Sequence, residues 1–410
     1  MKKRNVMYSA SRPTQLTKRN THSFASTFNP SQPTPPPMNT AVVNSTSDSS
    51  SSPPFYQLSQ DTIQQIFSLL PLRQIVISKS VSKFFNQTLS SNSYLSLIPS
   101  LPFLALRSSP SSRLSHLSPT LHAFDPNLNQ WLRFPLNFLP FSAHQPVASS
   151  LGLIYLWADT NESTKSLLVC NPLTRCYKIL PQLGSAWSRH GSVLVGSPNR
   201  VLVLTELAAL YYSGSDSGTD NWLKFSSNLP SKPRSPVLIK DSIIALCDVG
   251  SPWRAQWKLF TITLGSLQCK SQWTCLEKME WGDVFDILKR PRLVKGNGNK
   301  ILMIGGLKSS FLLNSSCTTI LVLRLDLETL EWDEAGRMPI EMFNCFQESS
   351  KFKVFGGGDR VCFSAKRIGK LALWDNSKGK SVWQWIEGVP WNGDGVCRGF
   401  LFEAGYTASP

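Results

Sequence analysis

Histidines and paired carboxylates are the side chains that could perform acid-base catalysis, and the sequence scatters them. The five histidines, at positions 22, 116, 122, 144 and 190, include no HxxxH pair and no nucleophile motif with a cysteine or serine. His190, in SRHGSV, is interpreted as a loop residue rather than a base. Asp283 and Asp286 fall in a predicted loop, where a solvated carboxylate is the usual state. These residues predict a chain that is not an enzyme.

The nine cysteines and the glycine runs offer no metal or cofactor site either. No CxxC spacing occurs, so neither zinc nor another metal or cofactor is expected. Cys170, Cys247 and Cys362 stand inside apolar runs, which indicates reduced, buried thiols of the cytosol or nucleus. The glycine run 356–358 lacks the lysine of a phosphate-binding loop and predicts a tight hairpin turn. No apolar run approaches the length of a membrane span, so no membrane partner is expected.

Tryptophan and arginine are concentrated in the longer predicted loops, and their chemistry is binding. Both residue types contribute disproportionately to binding energy when they are buried at an interface. The alternative is that the tryptophans, including Trp281, pack between structural repeats while the arginines are solvated. The residues predicted to bind a target are Trp187, Arg189, Trp253, Arg254, Trp257, Arg290 and Arg292.

The charge of the chain favours acidic partners. Its 410 residues include 42 Lys and Arg against 26 Asp and Glu, a formal charge of +16. Residues 1–47 hold six basic residues and no acidic one, so the remainder carries +10 and is itself basic. Acidic proteins, nucleic acids and anionic surfaces are all compatible with such an excess.

Residues 1–54 are rich in Ser, Thr, Pro and Asn. Such a segment buries too little apolar surface to offset the entropy of ordering, so a disordered tail is predicted. Its basic start and its lack of acidic residues also fit an organelle transit peptide. The expected location is the nucleus, the cytoplasm or both, and an organelle is the alternative.

Residues 55–101 show an apolar period near four, which predicts a small helical domain. The first stripe, at i, i+3, i+4 and i+7, comprises Ile63, Ile66, Phe67 and Leu70. Ser59 is positioned to cap this helix, and Pro71 is expected to end it. The spacing recurs within residues 81–89 and 94–101, so three short helices are expected. A unit this small leaves apolar residues that a partner or the following domain must cover.

The order of residues in this segment resembles the F-box. The matching positions are Leu58, Asp61, Ile66, Phe67, Leu70, Pro71, Val81, Lys83, Phe85 and Asn86. Ser59 stands where that pattern usually has proline. The resemblance implies docking on a Skp-type adaptor through Leu58, Ile66, Leu70, Pro71, Ile75, Val81 and Phe85.

Residues 102–405 change to short apolar strands separated by turns. A unit recurs in which a strand ends in a polar turn residue and an aromatic residue follows about six positions later. The aromatics, at steps of 45 to 59 residues, are Trp131, Tyr177, Trp222, Trp273, Trp332 and Trp383. This period is close to that of a four-stranded propeller blade, so six blades are predicted. Two β-sandwiches are the alternative all-β fold.

Each part of the repeat has an expected role. The polar turn residues, expected to bond their own backbone, are Asp125, Asn171, Asp326 and Asp375. The aromatics are expected to pack between blades, and the apolar runs from SLGLIYLWA to RVCFSAKR are expected to be inner strands. An open ring would expose strand edges, so residues 399–403 are expected to pair into the blade of Trp131. Residues 406–410 are left as a C-terminal tail.

The F-box order followed by degenerate kelch units resembles the plant F-box/kelch-repeat family over residues 55–405, with some similarity to the Unusual Floral Organs group. The resemblance implies a mainly β fold with a small α domain. It also implies a non-catalytic substrate receptor of an SCF-type ubiquitin ligase, linked through its adaptor to cullin and RING subunits, whose propeller binds a target protein. One alternative is a transcriptional cofactor whose basic loops touch a transcription factor and DNA phosphates. Another is a propeller enzyme with a helical cap.

Overall fold

A computed structural model of the chain shows four helices followed by six four-stranded antiparallel sheets. The helices and sheets belong to one compact unit that begins at Leu58. The tail predicted for residues 1–54 lies outside the described residues. The structure describes residues 58–107, 119–140, 144–159, 164–196, 200–214, 221–269, 272–282, 284–310, 316–347, 352–390 and 396–410.

Four helices, rather than the three expected, precede the sheets. They are α1 (Gln60–Ser68), α2 (Leu72–Ser78), α3 (Lys83–Thr88) and α4 (Asn92–Leu97). Ser59 caps α1 as predicted, because its Oγ accepts a hydrogen bond from the Thr62 N–H at 3.2 Å. Pro71 was expected only to end α1, but it is also the N-cap residue of α2. Residues 72–78, between the first two expected helices, are therefore themselves helical. The fixed φ of proline favours the start of a new helix at this point.

The six sheets are the blades of a propeller, and each has an inner, a second, a third and an outer strand. The inner strands, from blade 1 to blade 6, are β24 (Gly399–Ala404), β4 (His144–Ser150), β8 (Ser192–Val195), β12 (Arg234–Ile239), β16 (Leu288–Lys295) and β20 (Phe352–Gly357). The second strands are β1 (Leu101–Leu106), β5 (Leu153–Asp159), β9 (Arg200–Leu204), β13 (Ser242–Asp248), β17 (Lys300–Lys308) and β21 (Arg360–Ala365).

The remaining strands lie toward the circumference. The third strands are β2 (Thr120–Asp125), β6 (Thr164–Asn171), β10 (Ala208–Ser213), β14 (Trp257–Thr263), β18 (Cys317–Asp326) and β22 (Leu371–Asp375). The outer strands are β3 (Gln130–Pro135), β7 (Cys176–Gly184), β11 (Leu223–Ser226), β15 (Thr274–Leu276), β19 (Trp332–Arg337) and β23 (Val382–Ile386). Short helices α5 (Ser185–His190), α6 (Leu264–Gln268) and α7 (Ile340–Gln347) and a 3-10 turn, Met279–Trp281, lie in connections.

The most apolar runs are second strands, so the prediction that they are inner strands is wrong. SLGLIYLWA, for example, contains β5, whose residues Leu153 to Ala158 are all buried. A second strand has neighbours on both edges, and the adjoining blades cover both of its faces, whereas an inner strand borders the central channel. Inner strands therefore tolerate polar residues, and their alternation is harder to recognise in the sequence.

The ring closes as the sequence predicts. β24, from the C-terminal end of the array, pairs with β1 in register from Leu101↔Ala404 to Leu106↔Gly399. β1 in turn pairs with β2, and β2 with the strand that carries Trp131. Blade 1 thus contains three strands from the start of the propeller and one from its end, so both chain ends hold the ring shut.

The polar turn residues bond their own backbone as predicted. Asp125 Oδ1 accepts hydrogen bonds from the Asn127 and Leu128 N–H groups at 2.9 and 3.3 Å. Asn171 Oδ1 does the same for the Leu173 N–H at 2.9 Å. Asp326 and Asp375 accept from the N–H groups two residues ahead at 2.9 and 2.8 Å. Each turn between a third and an outer strand in these blades is therefore fixed by one side chain.

Replacing Asp125 tests how much such a turn contributes. Asp125 is 6% exposed, so Asp125→Ala would leave two N–H groups without their acceptor in a poorly hydrated place. We expect a loss of about 1 to 3 kcal/mol in the free energy of unfolding, measured by urea denaturation. Asp125→Asn keeps an oxygen at the same position, as Asn171 does in blade 2, and should retain most of the stability. Equal losses in both variants would contradict the turn's assigned role.

Most of the repeated aromatics pack between blades as expected. The indole N–H groups of Trp131 and Trp222 donate to the Glu387 and Pro181 carbonyls of the preceding blade, at 3.1 and 2.9 Å. Tyr177 is the exception, with 44% of its surface exposed. Its neighbour Lys178 lies over the Tyr212 ring of blade 3 instead. Successive side chains of a strand point to opposite faces, so Tyr177 points away from blade 3.

The glycine run is a hairpin turn, as predicted. β20 ends at Gly357 and β21 begins at Arg360. Gly358 has a φ of +60°, and Gly356 has a φ of +133° with the Arg360 carbonyl too close for a Cβ atom. Both positions therefore require glycine for backbone reasons.

The two ends of the propeller carry different parts of the chain. α4 leads directly into β1 at Leu101, which pairs with Ala404 where inner strand β24 finishes. We call the end where inner strands finish the helical end, and the opposite end, where they begin, the far end. Because strands alternate in direction, loops between second and third strands and connections between blades lie at the far end.

Candidate functional site

The four helices, together called the helical module, are held by a small core of their own. The Tyr94 hydroxyl donates to the Phe67 carbonyl at 3.1 Å, and the Phe67 ring meets the Phe85 ring at 5.0 Å between centroids. The buried amide of Gln64 donates to the hydroxyls of Ser91 and Ser93. These contacts fix α1 against α3 and α4.

The helical module is also packed on the propeller. Leu72 of α2 joins the buried cluster between blades 1 and 2, with Phe402 and Tyr406 in the same cluster. The Lys79 ammonium lies over the Tyr406 ring, 4.8 Å from its centroid. Asn171 donates to the Gly405 and Ala408 carbonyls at 2.9 Å, so residues after β24 are tied down at the helical end. The helical module therefore has a defined position on this end of the propeller.

Apolar side chains remain exposed on the outside of the helical module. They are Leu58, Ile66, Leu69, Val76, Ile77, Val81 and Leu97, and we call them the adaptor surface. Leu69 is 85% exposed and Val81 is 65% exposed, the highest values in the set. A concentration of exposed apolar residues on so short a segment is typical of a protein-binding surface.

The residues predicted to bind an adaptor divide between this surface and the module's interior. Leu58, Ile66 and Val81 belong to the adaptor surface, and Pro71 is also exposed. Leu70 and Phe85 are half-buried. Ile75 is only 1% exposed and serves as core. The single stripe expected on α1 is likewise divided, because the short module buries Ile63 and Phe67 but cannot cover Ile66.

Leu69, Val76, Ile77 and Leu97 are exposed apolar residues that the sequence reasoning did not select. Leu69 stands beside the predicted Leu70, and Val76 and Ile77 stand beside the predicted Ile75. The available signal was their apolar character at positions off the buried face of a helix. That signal can be used only when α2, the helix that the sequence did not predict, is recognised. The period of α2 then determines which of its residues face outward.

All seven residues predicted to bind a target lie at the far end. Trp187 and Arg189 are on α5, between blades 2 and 3, while Trp253 and Arg254 are between the second and third strands of blade 4. The others, Trp257, Arg290 and Arg292, lie near the far-end starts of β14 and β16. The fold therefore places these residues on the end of the propeller opposite the helical module.

The tryptophans of this group have different surroundings. Trp253 is 86% exposed, whereas Trp187 is half-buried against the core between blades 2 and 3. Trp257 is half-buried beneath the Arg234 guanidinium, 4.8 Å from its ring centroid. Trp281 is buried between blades 4 and 5, where its indole N–H donates to the Leu330 carbonyl at 2.8 Å. For Trp281 the packing alternative is correct.

The potential metal ligands and the buried thiols are two kinds of group that could support chemistry. No three His, Cys, Asp or Glu side chains among those residues are placed to hold a metal ion. Burial raises the pKa of the Cys170 thiol to about 12 and also raises the pKa of Cys362, so both remain protonated and unreactive at neutral pH. Cys170, Cys247 and Cys362 are buried free thiols, as predicted.

His190 and Asp286 also have ordinary environments. His190 ends the short helix α5 and is exposed. Asp286 pairs with Arg254 at 3.6 Å, while Asp283 lies outside the described residues. No described helix is both long and apolar enough to cross a membrane.

A helical module followed by a closed six-bladed propeller places the chain among propeller proteins with a helical domain. Two relatives from Arabidopsis thaliana show the family. SKP1-interacting partner 15 is 62% identical over 376 residues, which cover 88% of this chain and 100% of the relative. An F-box/kelch-repeat protein is 26% identical over 342 residues, covering 80% of this chain and 81% of the relative. No protein-family model matches the chain. The chain belongs to the F-box/kelch-repeat family.

Solved structures show more distant likenesses. TolB from Acinetobacter baumannii has a TM-score of 0.46 and 11% identity, covering 73% of this chain and 66% of that chain. AztD from Citrobacter koseri, in its apo form, has a TM-score of 0.35 and 12% identity, covering 74% of this chain and 98% of that chain. Both TM-scores are below 0.5, so neither likeness bears on function.

Proposed function

We propose that this chain is the substrate-recognition subunit of an SCF-type ubiquitin ligase. The helical module docks on a Skp-type adaptor, through which cullin and RING subunits supply ubiquitin transfer. The far end of the propeller binds the target protein. The chain itself performs no catalysis and acts in the nucleus, the cytoplasm or both.

The observation that carries this proposal is the adaptor surface. Leu69, Val76 and Val81 expose apolar area that neither the helical module nor the propeller covers. The relative with 62% identity bears the name SKP1-interacting partner 15, and the aligned region covers 100% of that relative's length. An adaptor of the Skp type is therefore the partner that best accounts for the exposed residues.

The division of the chain supports the second half of the proposal. The helical module occupies one end of the propeller, and the seven aromatic and basic residues predicted to bind a target occupy the far end. A target bound at the far end would not compete with the adaptor for surface. Loops supported by a rigid sheet structure are also where binding residues are concentrated in proteins.

Variants on the adaptor surface and at the adjoining Leu70 and Pro71 test the proposal. Leu70→Ala combined with Pro71→Ala, and separately Leu69→Ala, should each weaken adaptor binding at least about tenfold. Fully burying a leucine side chain is worth about 1.5 to 3 kcal/mol, and about 1.4 kcal/mol corresponds to tenfold in affinity. Isothermal titration of the purified adaptor into the full-length chain measures the change.

Leu207→Ala is the matched control for these variants. Leu207 is 77% exposed in a loop of blade 3 at the far end, so its removal should leave adaptor affinity unchanged. Circular dichroism must first show that every variant is folded. If the folded Leu69 and Leu70-Pro71 variants all bound the adaptor with wild-type affinity, the proposed docking surface would be refuted.

A further inference from the structure

Arginines from three blades meet at the far-end mouth of the central channel. Arg234 begins β12, Arg290 and Arg292 are the third and fifth residues of β16, and Arg398 immediately precedes β24. Arg107 immediately follows β1, and its backbone N–H donates to the Arg398 carbonyl at 2.8 Å. Since every inner strand begins at the far end, all five belong to the same mouth. We call this group the arginine mouth.

The charges of the arginine mouth act on one another across the blades. Burial, together with the charges of Arg234, Arg398 and Arg290, lowers the pKa of Arg292 to about 10. Arg292 belongs to blade 5 and Arg398 to blade 1, with the inner strand of blade 6 between them around the ring. Arg292 also lies over the ring of Phe352, the first residue of that intervening strand, so its guanidinium reaches from blade 5 toward blade 6 at the mouth.

Aromatic rings, rather than carboxylates, support these guanidinium groups. Arg234 lies over the Trp257 ring at 4.8 Å and Arg292 over the Phe352 ring at 5.9 Å. Within the residues that the structure describes, no carboxylate forms an ion pair with Arg107, Arg234, Arg292 or Arg398. Burial and the Arg290 charge lower the pKa of Arg234, and Asp248, in the same blade, is the acid that opposes this shift. The Oδ1 atom of Asp248 already accepts hydrogen bonds from the Gly250 and Gln256 N–H groups.

Two donors at this mouth are buried without an acceptor. They are Nε of Arg107 and Nη1 of Arg234. The hydrogen bond described for the Arg107 guanidinium is the one that Nη2 donates to the Val147 carbonyl. A buried donor without a partner destabilises the folded protein, and so does a group of like charges out of water. Such costs are typical of a site arranged for a ligand that supplies the missing acceptors.

We propose that the arginine mouth binds a phosphate-bearing ligand. The planar guanidinium fork matches the oxygens of a phosphate group and keeps its charge where an ammonium would readily lose it. Several guanidinium groups around one channel can neutralise the two charges of a phosphate from different sides. The inference names the chemical group that the far end of the propeller recognises, and it rests on the proposed function for the biological source of that group. The source is either a phosphorylated target segment or a small phosphate compound.

The position of the arginines favours an isolated phosphate over a nucleic acid. A duplex is bound by basic residues spread along a face, because its phosphates lie along an extended backbone. Here the basic residues surround the opening of one channel, where the inner strands of the blades converge. A single group entering the channel mouth can reach several arginines, whereas a duplex lying across it would reach few.

Binding measurements on the full-length chain test the proposal. The probes are inorganic pyrophosphate and one peptide made in two forms, with two phosphoserines and with two serines. Arg292→Gln combined with Arg398→Gln should weaken binding of the phosphate-bearing probe at least tenfold. Arg133→Gln, on outer strand β3 and exposed, removes one positive charge elsewhere and should change binding less than twofold.

Thermal melting distinguishes a binding role from a structural one. Removing two guanidinium groups from a crowded, partly desolvated cluster should leave the melting temperature unchanged or higher. A residue needed for folding would instead lower it. Lost phosphate binding together with undiminished melting is therefore the expected result for the double variant.

The outcomes separate the two sources and the competing explanations. Binding of the phosphoserine peptide but not the serine peptide supports a phosphorylated protein segment, and binding of pyrophosphate alone supports a small phosphate compound. The proposal is overturned if neither probe binds, if the double variant binds as the wild type does, or if a DNA duplex binds more tightly than both probes. Adaptor binding is measured separately, so a negative result here would leave the adaptor surface untouched.

Discussion

Truncation after Val396 is expected to abolish cooperative folding of the whole propeller. The deletion removes β24, the inner strand of blade 1, together with the buried side chains of Phe400, Phe402 and Tyr406. Fully burying one such side chain contributes about 1.5 to 3 kcal/mol, and the strand's hydrogen bonds to β1 are lost as well. The combined loss is comparable with the whole stability of a typical protein, about 5 to 15 kcal/mol.

Thermal melting followed by circular dichroism measures this effect. The control is removal of residues 409–410 alone, since Ser409 is exposed and the two residues follow the buried Tyr406. That shorter deletion should melt as the full chain does. A chain truncated after Val396 that retained the full-length melting temperature would show that the ring does not depend on its C-terminal strand.

Trp374→Ala should cause the largest loss of stability of any single substitution considered for the propeller. Trp374 is 0% exposed, and its indole N–H donates to the Ser381 hydroxyl at 2.8 Å. It packs against Gly336 of blade 5, where a Cβ atom would collide with the indole ring. Replacing a buried tryptophan with alanine costs about 3 to 5 kcal/mol, which guanidinium chloride denaturation would resolve.

Trp253→Ala is the matched comparison for this substitution. The chemical change is identical, but Trp253 is 86% exposed at the far end, so its removal should change stability by no more than about 0.5 kcal/mol. Because the variant remains folded, it can also be used to ask whether Trp253 contacts a target. Similar destabilisation by the two substitutions would mean that the exposed position of Trp253 is wrong.

Apart from ring closure, which follows from the need to pair exposed strand edges, the features that the sequence predicted correctly depend on residues close together in the chain. Ser59 caps α1 because its hydroxyl reaches an N–H group three residues away, and Asp125 fixes a turn through N–H groups two and three residues away. The aromatic repeat gave the blade number because each blade is a run of consecutive strands with its own turn. The F-box order and the repeat together were sufficient for the family.

Errors arose where burial depends on what surrounds a segment. The stripe expected on α1 is divided because the small helical module leaves Ile66 exposed, and only the contact between blades 4 and 5 decides the alternatives left open for Trp281. Neither neighbourhood is visible in the local pattern. The inner strands were misassigned for the same reason, because the most apolar strand is the one covered on both faces rather than the one nearest the axis.

The sequence by itself determined the helical module, the repeated blades and the residues that close their turns, because these features rest on local hydrogen bonds and on side-chain periodicity. Only the tertiary structure decided which end of the propeller carries the helical module and which side chains share the channel. Arg107, Arg234, Arg292 and Arg398 are far apart in the sequence, and each lies in or next to an ordinary strand. Ring closure brings them to one mouth, since it fixes the inner strands in the same direction around a common axis.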